Sequence, residues 1–358
     1  MKLTKTTYNL LLRLIAGIAA SLILLGATAL ISQKSSKSLF QSASGVKPES
    51  LIMTVDGRDI YAEEYLYWLD YYCDYYNQYL NYMGVTGWDT ELEPGFTAGD
   101  YISQQAELQT VRMILQYAVI NNWAEEAGIT LTEEDLQDIA VQREMSVEQL
   151  GGEDAYQQWL KNLGVSESFI NRSLEHSYLI NHLSELYCTE DSPLYPGHEA
   201  IDAYANSHEY LAASILFIDT CEMDSSEQEA ALAKMEGYSA TLRESKKIDE
   251  DFSKIAAELG AEDVVTTFRS DTVDAKIATA VRQLYMNTAS SVIKTDEGYY
   301  IVVRRYPETN GVIADMLNEE FTQRCADAEI VYNDEVYGSI NTLSFYRKIL
   351  ASQGISVG

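Results

Sequence analysis

YLAASILFID, residues 210–219, and GYYIVVRRY, residues 298–306, decide how the second half of this chain folds. Each is a run of apolar and aromatic residues of strand length, bounded by polar segments, and reads as a buried strand. Between them, helical patterns are expected at about 226–245, 251–259 and 272–285. Strand, three helices and strand within roughly 100 residues predict a compact α+β module. Upstream, the pattern turns helical. LIMTVDGRDI (51–60) alternates like a short strand with Asp56-Gly57 as its tight turn, and a helix follows over Tyr61–Met83. A long helix is expected at 100–127, with Leu108, Val111, Ile114, Leu115, Ala118 and Val119 inward and Gly128 ending it. Thr132, three residues before Asp135, opens a capping box, and helices are expected at about 132–145, 153–163 and 166–189, the last capped by Ser166. Pro193 and Pro196 mark a boundary. The tail adds a helix near 313–326, a strand at Glu329–Tyr332 and a helix near 336–351.

At 358 residues the chain holds two or three domains, and 46% hydrophobic residues argue against disorder. Residues 1–50 carry Lys2, Lys5, Arg13, Lys34, Lys37 and Lys47 against Glu49, a surplus of five positive charges, so the net −30 leaves −35 for the rest. Such a body repels nucleic acid, whose phosphates need Lys and Arg. Two readings of the acid excess stand: solubility, and attraction of basic clients or cations. Cys73, Cys188, Cys221 and Cys325 are far apart, without CxxC or histidines at ligand spacing, so no metal site is expected. Two disulfides or four buried thiols both fit this spacing, the thiols better.

Leu14 to Ile31 runs 18 residues without a charge. As a helix this spans about 27 Å, close to the hydrocarbon thickness. Lys2, Lys5 and Arg13 before it favour a cytoplasmic N-terminus at 1–13 and a single-pass membrane protein with its body outside. The rival is a cleaved signal peptide, for which Ala27-Thr28-Ala29 has the right small residues. The Ser- and Lys-rich stretch 32–50 reads as a flexible tether.

Several phrases resemble one family. Ile52–Gly57 with the helix entry at Ile60–Tyr65, AEEAGITLTEEDL (124–136), YQQWLKNLGVSESFI (156–170) and EAIDAYANS (199–207) are similar to the helical chaperone domain of SurA/PrsA-type extracytoplasmic foldases. Residues 208–306 resemble the parvulin-type prolyl isomerase domain inserted there, with Asp251–Ala257 similar to its "DFxxlA" helix and NTASSVIKTDEGYYIV (287–302) to its closing strand. The resemblance implies an α+β protein in three parts after the tether. These are a mainly helical chaperone domain from 51–207, the insert at 208–306, and a segment at 307–358 that packs back on the chaperone domain. Unfolded exported polypeptides would be its partners, with no cofactor and homodimerisation left open.

Prolyl isomerisation twists an amide against a barrier of roughly 18–20 kcal/mol. A catalyst must therefore favour the twisted amide over the planar one. The resemblance implies two histidines on adjacent strands behind an apolar pocket. Carried over, those positions fall on Ser214 and Tyr300, and the pocket positions on Val273 and Ile277, while the loop before them keeps only Phe268 and, as a weak acidic candidate, Asp263. None of His176, His182, His198 and His208 falls on a family position, and surface or capping roles are expected for them. Ser214 and Tyr300 either fill the sheet core or support residual isomerase activity.

The helix at 61–83 offers another working surface. Tyr65, Trp68, Tyr72, Tyr75, Tyr79 and Tyr82 form one stripe, read as inward, whereas Tyr67, Tyr71 and Tyr76 lie off it. The latter three are the client-binding candidates, with packing against the tail as the alternative. The expected function is a membrane-anchored chaperone with a weak or inactive isomerase module. The rivals are an active isomerase and a cell-surface scaffold for one defined partner.

Overall fold

The computed structural model describes residues 37–355. The expected anchor at 14–31 lies outside the described residues, and among those described no helix is long and apolar enough to cross a membrane. The chain divides into two compact units, one running to Leu186 and resuming at Glu319, the other Tyr187–Asn318. The second therefore interrupts the first, and reaches beyond 208–306 on both sides.

In the first unit, helix α1 (Leu39–Ser44) precedes strands β1 (Leu51–Val55) and β2 (Arg58–Tyr61), helix α2 (Ala62–Tyr82), the small hairpin β3 (Glu91–Glu93) and β4 (Phe96–Thr97), and helix α3 (Ala98–Glu126). Helices α4 (Glu133–Leu150), α5 (Glu153–Leu163) and α6 (Glu167–Cys188) follow. The second unit contains α7 (His198–Ser207), β5 (Tyr210–Asp219), α8 (Ser225–Glu244), α9 (Ile248–Leu259), β6 (Thr266–Arg269), α10 (Ala275–Gln283), β7 (Ile293–Lys294) and β8 (Gly298–Arg304). Helix α11 (Thr309–Asp327) leads to β9 (Ile330–Tyr332), α12 (Asp334–Tyr337) and α13 (Thr342–Ser352).

The tail completes the first sheet. β9 pairs antiparallel with β1, Met53 opposite Tyr332 and Val55 opposite Ile330, giving the order β2-β1-β9. Asp56 and Gly57 turn β1 into β2 with φ of 47° and 79°, the left-handed values that a two-residue hairpin demands. Asp56 also ties in the tail, its side chain accepting from the Glu329 amide at 2.8 Å. The capping box Thr132/Asp135 opens α4, and Ser166 accepts from the Phe169 amide at 3.1 Å to open α6. The proposed tether is corrected from Ser38 onward: α1 is capped by Ser38 and buries Leu39, Phe40 and Ala43, with the Phe40 ring 5.9 Å from that of Phe345. Ser38 also sits against Gly164, whose φ of 94° ends α5 and which has no room for a β-carbon. Leu108, expected inward, is exposed, and the last helix breaks between Tyr337 and Thr342.

The second unit is a four-stranded antiparallel sheet in the order β6-β5-β8-β7. β6, missing from the sequence reading, is an edge strand formed within the stretch read as a shortened loop. One face carries Leu216, Ile301 and Val303 against Met235 and Leu242 of α8 and Phe252 and Ile255 of α9. The other carries Leu211, Ala213 and Val302 against Ile277, Ala278 and Val281 of α10. Gly298 lies at φ 154°, where a β-carbon would collide with the Ile218 carbonyl oxygen, so this corner needs glycine.

Candidate functional site: the α10 face of the inserted sheet and the tyrosine ridge of α2

Strand pairing settles how the carried-over positions relate. Ser214 stands opposite Val303, and Tyr300 opposite Phe217. Side chains alternate between faces along a strand, so Ser214 projects to the α8/α9 face while Tyr300 projects to the α10 face. The expected Ser–Tyr pair does not form. Ser214 is buried, and its oxygen accepts from Arg305 Nε at 3.0 Å. Arg305 goes on to Asn287 at 3.0 Å and Asp249 at 2.7 Å, so this polar group braces the sheet. On the face that Tyr300 shares, the residue next to Ser214 is Ile215, which cannot donate a hydrogen bond.

The remaining positions do meet. Phe268, Val273, Ile277 and Tyr300 belong to one apolar cluster on the α10 face. Phe268 and Ile277 are buried, while Val273 and Tyr300 are half-buried. The Tyr300 ring stacks on Phe217, centroids 4.4 Å apart, and Phe217 is itself exposed. Tyr300 donates its hydroxyl to Glu297 at 3.0 Å. Burial first, then that hydrogen bond and the charges of Glu297, Asp219 and Asp274, push the phenol up to about 12. At neutral pH Tyr300 is thus a protonated donor already committed to a carboxylate. Asp263 is exposed and accepts from Ser253. This face can offer a proline ring an apolar platform, with one occupied donor beside it.

The histidines stand elsewhere. His176 is buried, contrary to a surface role, its ring tilted against that of Tyr117 with centroids 3.8 Å apart and Asn121 Nδ2 3.1 Å from its Nδ1. Burial, then Arg58 and Arg172, push it down to about 3, so it is neutral. His182 Nε2 lies 2.7 Å from Asp135. Burial opposes its charged form, but the hydrogen bonds and charges of Asp135 and Glu185 outweigh it and raise the pKa above the usual value. No cluster of metal-ligating side chains occurs among the described residues. A cleft of about 310 Å³ in the second unit, lined by Ile201, Asp202, Tyr210, Tyr306, Pro307 and Val312, was not foreseen from the sequence.

The aromatic helix differs from its reading. Residues Tyr65 to Asp70 of α2 are buried without interruption, so the first half of the helix is enclosed on all sides. Tyr67 is 1% exposed, edge-on to Trp68 and Phe169, which removes it from the client-binding candidates. Tyr71 and Tyr76 are half-buried. Exposure belongs to the stripe read as inward: Tyr75 at 53%, Tyr79 at 45% and Tyr82 at 89%, with Met83 at 61%. Tyr75 and Tyr76 meet edge-on at 5.1 Å and Tyr76 meets Tyr101 of α3 at 5.8 Å, and Tyr79 and Tyr82, at successive helical steps of four and three from Tyr75, extend this ridge along the same face. Of the cysteines, all free, Cys73 is buried and Cys221 exposed.

No protein-family model matches the sequence, and neither does any curated protein. Among solved structures the chain is similar to the foldase protein PrsA of Lactococcus lactis, at 14% identity over 86% of this chain and 94% of that one, with a TM-score of 0.29. PrsA of Streptococcus pneumoniae matches at 17% identity over 76% and 95%, with a TM-score of 0.26. A chain from a pair of SurA-like chaperones of Campylobacter jejuni matches at 12% over 79% and 99%, with a TM-score of 0.22. The likenesses are weak at those scores.

Proposed function

We propose that this protein is an extracytoplasmic chaperone of the SurA/PrsA type, which holds unfolded exported polypeptides and whose parvulin-like unit has weak isomerase activity or none. The tyrosine ridge of α2 carries the reading: three exposed tyrosines and an exposed methionine on one helix end are adaptable apolar surface left open by the described residues. The order of family-like phrases along the sequence and the interruption of a helical unit by an α+β unit support it. Weak or absent catalysis follows from the α10 face. A twisted amide needs differential hydrogen bonding, yet Ser214 faces away and Tyr300 already serves Glu297. Leu14–Ile31 would anchor the body at the outer side of the membrane.

The test is suppression of aggregation. Two unrelated, chemically unfolded proteins diluted with a near-equimolar amount of this chain should both stay soluble, whereas a scaffold for one partner would protect neither. A protease-coupled assay on a proline peptide should show little or no acceleration. Rapid turnover, abolished in Tyr300→Phe or Ser214→Ala, would restore the isomerase reading.

A further inference from the structure

The ridge stands in an unusual electrostatic setting. From Asp59 to Val111 the chain contains ten aspartates and glutamates and not one lysine, arginine or histidine. Asp89, Glu91 and Glu93, in the segment that follows α2, are exposed, as is Asp100 beside Tyr101. This segment is held against the helix by Trp88, whose indole donates to Asn77 at 2.9 Å. Arg112, on α3 near Tyr72 and Tyr76, stands at the inner end of the ridge. Other aromatic rings of the first unit do carry arginines: Arg143 over Tyr156 at 5.2 Å, Arg324 over Trp123 at 4.6 Å and, beside the acidic segment itself, Arg347 over Trp88 at 5.4 Å. No base of the described chain lies so over Tyr75, Tyr79 or Tyr82.

We infer that the ridge takes cationic segments of unfolded chains, with Lys and Arg side chains lying over the tyrosine faces and pairing with the surrounding carboxylates. This rests on the chaperone reading and adds a client preference to it. Charge complementarity selects the occupant. An acidic segment meets like charge, and a second copy of this chain would bring its own carboxylates against these. A guanidinium or ammonium over an exposed ring gains from both the ring quadrupole and the nearby acids. The aromatic faces supply grip without sequence register, and the charges supply salt-dependent encounter.

The test uses the whole chain and two fluorescent peptides of equal length, unstructured and sharing the same Leu and Tyr content, one with four arginines and one with four glutamates. Anisotropy should show at least tenfold tighter binding of the arginine peptide, weakening severalfold between 50 and 300 mM NaCl, on the order expected for screened surface charges. The triple variant Tyr75→Ser/Tyr79→Ser/Tyr82→Ser should lose about tenfold in affinity, on the order of 1.4 kcal/mol. Asp89→Asn/Glu91→Gln/Glu93→Gln should remove most of the preference between peptides. All six residues are exposed, and unchanged tryptophan fluorescence verifies the fold. Equal binding of both peptides, or arginine binding untouched in the triple variant, overturns the inference. So does self-association lost in the triple variant without peptide binding, which would make a second copy the occupant. If aggregation of clients is still suppressed in those cases, the chaperone reading survives and only the cationic preference fails.

Discussion

Replacing Asp70 by asparagine should raise the stability of the first unit at neutral pH, by an amount that grows with pH. Asp70 is 4% exposed on α2, and burial, with Asp74 nearby, pushes its carboxyl up to about 8 from an ordinary 3.8. Between those values the folded chain keeps the proton and the unfolded chain releases it. The unfolded state then binds fewer protons, so stability is full below about pH 4 and falls as pH rises through the window. At about 1.4 kcal/mol per pH unit, ionisation linkage at this one group costs about 4 kcal/mol at pH 7. Asparagine has the same shape and nothing to ionise. The difference Asp70→Asn minus wild type should therefore grow by about 4 kcal/mol between pH 4 and pH 7 and level off above pH 8. Urea unfolding followed by tryptophan fluorescence reads it cleanly, because Trp68, Trp88, Trp123 and Trp159 all lie in the first unit. Groups that titrate alike in both proteins cancel in the difference. A pH-independent difference, or one that shrinks as pH rises, would refute the buried, protonated carboxyl.

Tyr67→Ala should destabilise the first unit by about 3–5 kcal/mol, as large aromatic truncations do, whereas Tyr82→Ala, at an 89% exposed site, should stay within about 0.5 kcal/mol; parallel urea titrations check both. His182, whose pKa is raised in the fold, contributes stability that is full below its unfolded pKa and is lost as pH rises through the folded one. Thermal melts should accordingly show His182→Ala more damaging at pH 5.5 than at pH 8.5. Gly298→Ala should cost the second unit about 1–3 kcal/mol, since the new carbon meets the Ile218 carbonyl of the partner strand; circular dichroism melting or hydrogen exchange of β5 and β8 reads the loss.

Local signals in the sequence placed most elements well. Thr132, Ser166 and Gly128 announce helix ends through chemistry confined to a few residues, and β9 is legible as a short apolar run. What depends on distant partners was not legible. Leu39, Phe40 and Ala43 sit among serines and lysines, and distant partners such as Phe345 and Gly164, more than a hundred residues away, turn them into a buried helix. Ser214 lies in a strand buried on both faces, where the hydrophobic pattern carries no parity, and only pairing with β8 shows which way it points. On α2 the tyrosines form two candidate stripes, so aromatic content alone could not orient the helix. Leu66, Leu69, Cys73 and Leu80, at steps of three, four and seven, mark its buried side and would have put Tyr75, Tyr79 and Tyr82 outward.

In the function proposed here, grip on unfolded clients comes from the end of α2 rather than from the four-stranded sheet of the second unit. Light scattering of an aggregating client with either Tyr75→Ser/Tyr79→Ser/Tyr82→Ser or Tyr300→Phe tests it most directly. Protection should collapse with the first variant and match wild type with the second. Full protection by the triple variant, with protection lost on removing the Tyr300 hydroxyl, would contradict the account.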